Sequence, residues 1–154
     1  MDVEDINLLR IFDTFYAILD ISMENIVPSQ QLSLEIKTPA GLKVIGTMNI
    51  LYVEAAKKCS IIYLNDQNSV ITYHLLKWFN NNLLKPYFFR CHNSYIVNCL
   101  FVDCYCNQTV TLINKKKVPL SRNRKLLFRE NLKNLAEDFS VLSYDHFQLH
   151  KDLH

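Results

Sequence analysis

The stretch from Phe88 to Asn98 sets Arg90, His92, Asn93 and Asn98 among aromatic and β-branched residues. Guanidinium, imidazole and carboxamide groups are hydrogen-bonding chemistry. Strand-forming neighbours hold such groups stiffly, so recognition is the use that fits them. Covalent chemistry is poorly served elsewhere: the chain carries no nucleophile elbow, phosphate loop or paired-carboxylate pattern, and no enzyme is expected. Cys104 and Cys106 share a strand face with Cys99 nearby, but Cys-x-Cys without a matched second pair is a weak zinc or redox signal. His146, His150 and His154 recur every four residues and would share one helical face, yet a frayed acidic tail is the plainer reading. Neither a metal nor a cofactor is expected.

Charge is distributed unevenly beneath a formal total of +2. Residues 1–36 hold one Arg against seven acids and residues 134–154 one Lys against four, whereas residues 37–133 hold fifteen bases against four acids. A basic block of net +11 between acidic arms of −6 and −3 concentrates its field where a polyanion would sit. A solvated basic surface is the bland alternative. Five cysteines (59, 91, 99, 104, 106) form an odd set without an N-terminal signal segment. They read as reduced thiols in a cytoplasm. The 154 residues fit one domain with appendages, large enough to fold without disulfides.

The elements that must carry these groups follow from periodicity. Leu8, Phe12, Phe15, Leu19 and Met23 recur at spacings of three and four, predicting an amphipathic helix over Asp5 to Glu24. Its charges exclude a membrane span. From Leu32 the texture turns to short β-rich runs, 32–37, 42–47, 50–55, 59–64 and 70–73, which predict an antiparallel meander. Breaks at 39–41 and 65–68 are hairpin-like, and with two glycines in the chain, Asn and Asp must supply the positive-φ positions. A short helix is predicted over His74 to Leu84. Pro86 then forces an exit into a strand that starts at Phe88, followed by strands at 95–97, 101–105, 110–113 and 117–120. Ser121 is placed to cap a last helix from about Arg122 to Leu135.

Three motifs in fixed order, Asn-Ile-Leu-Tyr-Val-Glu-Ala at 49–55, Phe-Phe-Arg-Cys-His-Asn-Ser-Tyr-Ile-Val-Asn at 88–98 and Val-Pro-Leu-Ser-Arg-Asn-Arg at 118–124, resemble the LytTR family of bacterial DNA-binding domains. The resemblance spans roughly residues 32–133. It implies a mainly β, elongated antiparallel sheet domain that enters successive major grooves of duplex DNA with loops rather than a recognition helix. Three reading segments carry over: Lys57 and Lys58 after the Glu54 strand; Arg90, His92, Asn93 and Ser94 around the next turn; and Ser121, Arg122, Asn123 and Arg124. Lysines and arginines suit phosphates and guanine edges, and an Asn amide suits adenine. Many family members carry Arg at the position of Asn93, which implies a different base preference here.

Structural readings stand beside these roles. Arg90 is also a sheet-edge charge, His92 a partner for neighbouring backbone, Asn98 the closure of its own turn, and Lys115 to Lys117 a solvated hairpin tip. The resemblance usually brings a phosphorylatable receiver domain, for which the roughly thirty residues ahead of the sheet leave no room. The layout expected is an N-terminal helix and linker (1–30), a LytTR-like domain (31–135) and an acidic tail (136–154). The function expected is sequence-specific duplex DNA binding by a small cytoplasmic transcription regulator on repeated half-sites, without a membrane partner. A protein-interaction module, in which the N-terminal helix binds a partner or a second copy and the DNA readout is reduced or lost, is the competing reading. A thiol or metal sensor is the third.

Overall fold

The computed structural model describes residues 32–151, with side chains as far as Asp138. The expected N-terminal helix lies outside the described residues. Ten strands and two α-helices make up the described chain: β1 (Ser33–Thr38), β2 (Gly41–Gly46), β3 (Ile50–Ala55), β4 (Ser60–Leu64), β5 (Ser69–Thr72), α1 (Leu76–Asn82), β6 (Phe88–His92), β7 (Tyr95–Asn98), β8 (Val102–Cys106), β9 (Thr109–Leu112), β10 (Lys117–Pro119) and α2 (Lys125–Lys151). All strand pairings are antiparallel, as the alternating runs require. The strands divide among three sheets rather than one elongated sheet: β1-β2, β5-β4-β3-β7-β6 and β10-β9-β8.

Turn chemistry sets the hairpins. Gly41 closes the first at φ 108, a backbone angle that favours glycine, while Thr38 Oγ1 donates to Gly41 O at 2.7 Å and accepts from Ala40 N at 3.2 Å. In the β4–β5 turn Asp66 Oδ1 accepts from Asn68 N at 3.0 Å. Among the described residues the non-glycine positive-φ positions are Gln67, Asn107 and Lys115, so only one of these three is the Asn or Asp that residue preference leads one to expect. Gln67 and Lys115 each donate a backbone N–H to a carbonyl three residues back, Leu64 O and Leu112 O, which holds the turn closed around the less favourable residue.

Register sorts the large sheet into rows. Val70, Ile62, Val53, Ile96 and Arg90 lie side by side on one face. Ile71, Ile61, Glu54, Tyr95 and His92 lie on the other, with Tyr63, Tyr52, Val97 and Phe89 in the next row. A bulge between Arg90 and His92 absorbs Cys91 and puts these two polar residues on opposite faces. One apolar core joins all three sheets and both helices through Ile36, Ile62, Phe79, Ile96, Leu112 and Phe128.

The short helix α1 starts later than the periodicity suggests, because His74 and Leu75 stay outside it: Leu75 is extended, and Thr72 Oγ1 takes the His74 amide at 3.2 Å. Asn98 is fully buried; its Nδ2 donates to Ile50 O at 2.9 Å and its Oδ1 accepts from Leu100 N at 3.0 Å, which ties β7 to β3 and caps the following turn. Helix α2 packs Phe128, Leu132, Leu135 and Ala136 inward, the Phe128 ring lying 5.4 Å from both Phe89 and Tyr105. It continues to Lys151, well beyond the end expected near Leu135. Its start also differs: Arg122–Arg124 forms a 3-10 turn, and Ser121 makes no side-chain cap. Among the described residues no helix is long and apolar enough to cross a membrane.

Candidate nucleic-acid interface

The pairing of Glu54 with Tyr95 places the exit of β3 beside the entry of β7. Ala55 N donates to Ser94 O at 2.8 Å, joining the loop after β3 to the β6–β7 turn, and Ala56 N donates to Cys59 O at 3.0 Å, closing the loop that carries Lys57 and Lys58. Ser121 N donates to Cys91 O at 2.8 Å, docking the 121–124 segment on β6. All ten candidate residues therefore gather at one end of the five-stranded sheet, although they come from three separate stretches of chain.

Their side chains divide into two kinds. Lys57, Lys58, Asn93, Arg122 and Asn123 are exposed, and neither Arg122 nor Asn123 has a side-chain partner among the described residues. Arg90 and Arg124 are half-buried and turned onto the turn itself. Arg90 Nη2 donates to Asn93 O at 2.7 Å. Arg124 Nη1 donates to Arg90 O at 3.1 Å, and its Nη2 to Asn93 Oδ1 at 3.0 Å. Burial, and secondarily the neighbouring Arg124 charge, lower the pKa of the Arg90 guanidinium, whose Nε is buried without a partner. Two cations side by side are tolerated because their N–H groups are spent on carbonyl oxygens.

His92 is held from both sides. Its Nδ1 accepts from Ser94 N at 3.1 Å, which leaves the ring proton on Nε2. Its ring meets Tyr95 edge-on at 5.9 Å. Tyr95 OH donates to Glu54 Oε1 at 2.7 Å, and Tyr63 OH donates to Glu54 Oε2 at 3.0 Å. Tyr52 stacks on Tyr63 at 4.4 Å. The hydrogen bond to the Glu54 carboxylate, with burial behind it, pushes the Tyr95 phenol up to about 12, so it stays a donor at neutral pH. This tyrosine–carboxylate platform was not legible in the sequence: Tyr52, Glu54, Tyr63 and Tyr95 come together only through the register of β3, β4 and β7. The i, i+2 spacing of Tyr52 and Glu54, which puts both on one face of a strand, is the one local hint.

Other sequence candidates fall elsewhere. Lys115, in the β9–β10 turn, pairs with Asp103 at 3.4 Å as an exposed ion pair. All five cysteines are free thiols, of which Cys91 and Cys99 are fully buried. Among the described residues no three His, Cys, Asp or Glu side chains gather as a metal site.

An edge of exposed N–H donors on a basic domain suits a phosphate-rich, acceptor-bearing surface, and comparison with known proteins agrees. Residues 40–133 match the family model of the LytTr DNA-binding domain. Among solved structures, the chain resembles the LytTr DNA-binding domain of a protein described as a methyl-accepting/DNA response regulator from Bacillus cereus, with 26% identity and a TM-score of 0.56 over 65% of this chain and 95% of that one. No curated protein matches. With its three motifs, its mainly β fold and its basic edge all accounted for, the chain belongs to the LytTR DNA-binding domain family, whose members bind DNA in transcription regulation.

Proposed function

We propose that this protein reads duplex DNA sequence-specifically, inserting the 57–58 loop, the 92–94 turn and the 121–124 segment into major grooves as a small transcription regulator. The observation that supports the reading most directly is the convergence of these segments on one sheet end, with Lys57, Lys58, Asn93, Arg122 and Asn123 exposed. Lys57 and Lys58 act as phosphate contacts that position the domain, and Arg122 and His92 offer donors to base edges. Arg122 carries the largest share, because its guanidinium is exposed and uncommitted and fits the two acceptors of guanine. One such domain covers one half-site, which fits repeated half-sites, with the N-terminal arm as the route to pairing two copies.

The test is equilibrium binding to the protein's selected duplex and to a scrambled one. Arg122→Ala weakens binding to the selected duplex by about 1–3 kcal/mol and the scrambled duplex much less. Equal losses on both duplexes would reduce Arg122 to a phosphate contact and remove sequence reading from this segment.

A further inference from the structure

We propose that Arg124 is a positioning residue that turns the Asn93 amide into a hydrogen-bond donor, so that Asn93 selects a keto base, guanine or thymine, over an amino base, adenine or cytosine. The inference rests on the DNA-reading function proposed above and names the base class that one of its residues takes.

Of the two ends of a carboxamide, only the oxygen can accept from a guanidinium. The 3.0 Å bond from Arg124 Nη2 to Asn93 Oδ1 therefore fixes which way the amide faces. The guanidinium is itself anchored: its Nη1 holds Arg90 O at 3.1 Å, and Arg90 Nη2 holds Asn93 O at 2.7 Å. Backbone and side chain of Asn93 are thus both fixed, on an exposed turn residue whose amide would otherwise rotate freely. What Asn93 presents outward is the Nδ2 amino group with its two N–H donors.

An unconstrained Asn commonly takes adenine by donating to N7 and accepting from the N6 amino group. Here the accepting half is already committed to Arg124, and a guanidinium charge next to Oδ1 disfavours the approach of a second donor. In the major groove guanine shows two acceptors, O6 and N7, and thymine shows O4, whereas adenine sets its N6 amino donor beside the N7 acceptor and cytosine shows the N4 amino donor. The neighbouring residue points the same way. His92 Nδ1 is taken by Ser94 N, so this ring also offers a donor, Nε2–H. Two adjacent donors on one rigid turn match an acceptor-bearing edge and clash with an amino group.

Selection from random duplexes, run in parallel on the wild type, Asn93→Ala, Asn93→Asp and Arg124→Met, tests this. Asn93→Ala identifies the position that Asn93 reads as the one whose preference it relaxes. In the wild type that position holds guanine or thymine. Arg124→Met frees the amide and moves the preference there towards adenine, by about tenfold in relative affinity, the discrimination of one paired contact. Thermal melting checks that this variant folds. Asn93→Asp keeps the Arg124 partner but leaves no donor, so it loses the keto preference whether or not Arg124→Met is stable. Arg124→Lys retains one donor and with it the wild-type preference. Adenine or cytosine at the Asn93 position in the wild type, no position relaxed by Asn93→Ala, or an Arg124→Met variant weaker on every site with unchanged preference would overturn the inference while leaving DNA reading intact. A wild type that enriches no motif would overturn both.

Discussion

A phenol bonded to a carboxylate resists ionisation, and so does a thiol buried among apolar side chains; both make the fold sensitive to alkali. Tyr95 is held up to about 12 from its ordinary 10.0 by Glu54, and burial pushes the Cys91 thiol from 9.0 to about 12. Burial and the same carboxylate raise Tyr63 as well. Both groups have folded-state pKa values above their unfolded ones, so the stability they contribute is complete below pH 9 to 10 and is lost as pH rises towards 12. Melting temperature should therefore hold from neutrality to about pH 9 and fall above it, with Tyr95→Phe flattening the fall. A Tyr95→Phe variant as alkali-sensitive as the wild type would show that Glu54 does not hold this phenol. At this scale the candidate site was partly legible. The types and spacing of His92, Asn93 and Arg122 pointed to recognition, but the division of labour between Arg122, free at the surface, and Arg124, spent on Asn93, depends on a 31-residue contact that spacing does not reveal.

Elements show the same contrast between local and long-range information. Strand positions were legible to within a residue or two because alternation of side chains is a local signal, and runs such as Ile50–Ala55 carry it plainly. The division into three sheets, and the insertion of β7 between β3 and β6, were not, since pairing order is set by which rows complete the core. The bulge at Cys91 was likewise hidden, although it decides which face His92 occupies. Helix ends misled in both directions: α1 begins late where Thr72 captures a backbone amide, and α2 begins late after a 3-10 turn and runs on past Leu135. The structural reading of Asn98 agrees with its geometry, in which one amide bridges β3 and the turn after β7. Asn98→Ala should cost about 2–4 kcal/mol in chemical denaturation, because it orphans Ile50 O and Leu100 N in the core. A loss below about 0.5 kcal/mol, the size of an ordinary surface change, would mean those groups find other partners.

Over the whole molecule, the basic block of residues 37–133 coincides closely with the family match at 40–133, so charge and fold mark the same unit. The N-terminal arm, with Leu8, Phe12, Phe15, Leu19 and Met23 on one helical face of the sequence, is proposed to bring two copies together on repeated half-sites. Deleting residues 1–30 should then reduce cooperative binding and self-association. Unchanged sedimentation and unchanged cooperativity would assign the arm another role.

Whether this sheet end reads DNA sequence is decided by selecting random duplexes with the purified full chain and titrating salt on the winning site. One shared motif and a log–log salt slope steeper than about −4 are expected, because several Lys and Arg side chains displace counterions. A pool that stays random after selection, with binding as weak on every duplex as on the starting mixture, would contradict sequence reading by this sheet end.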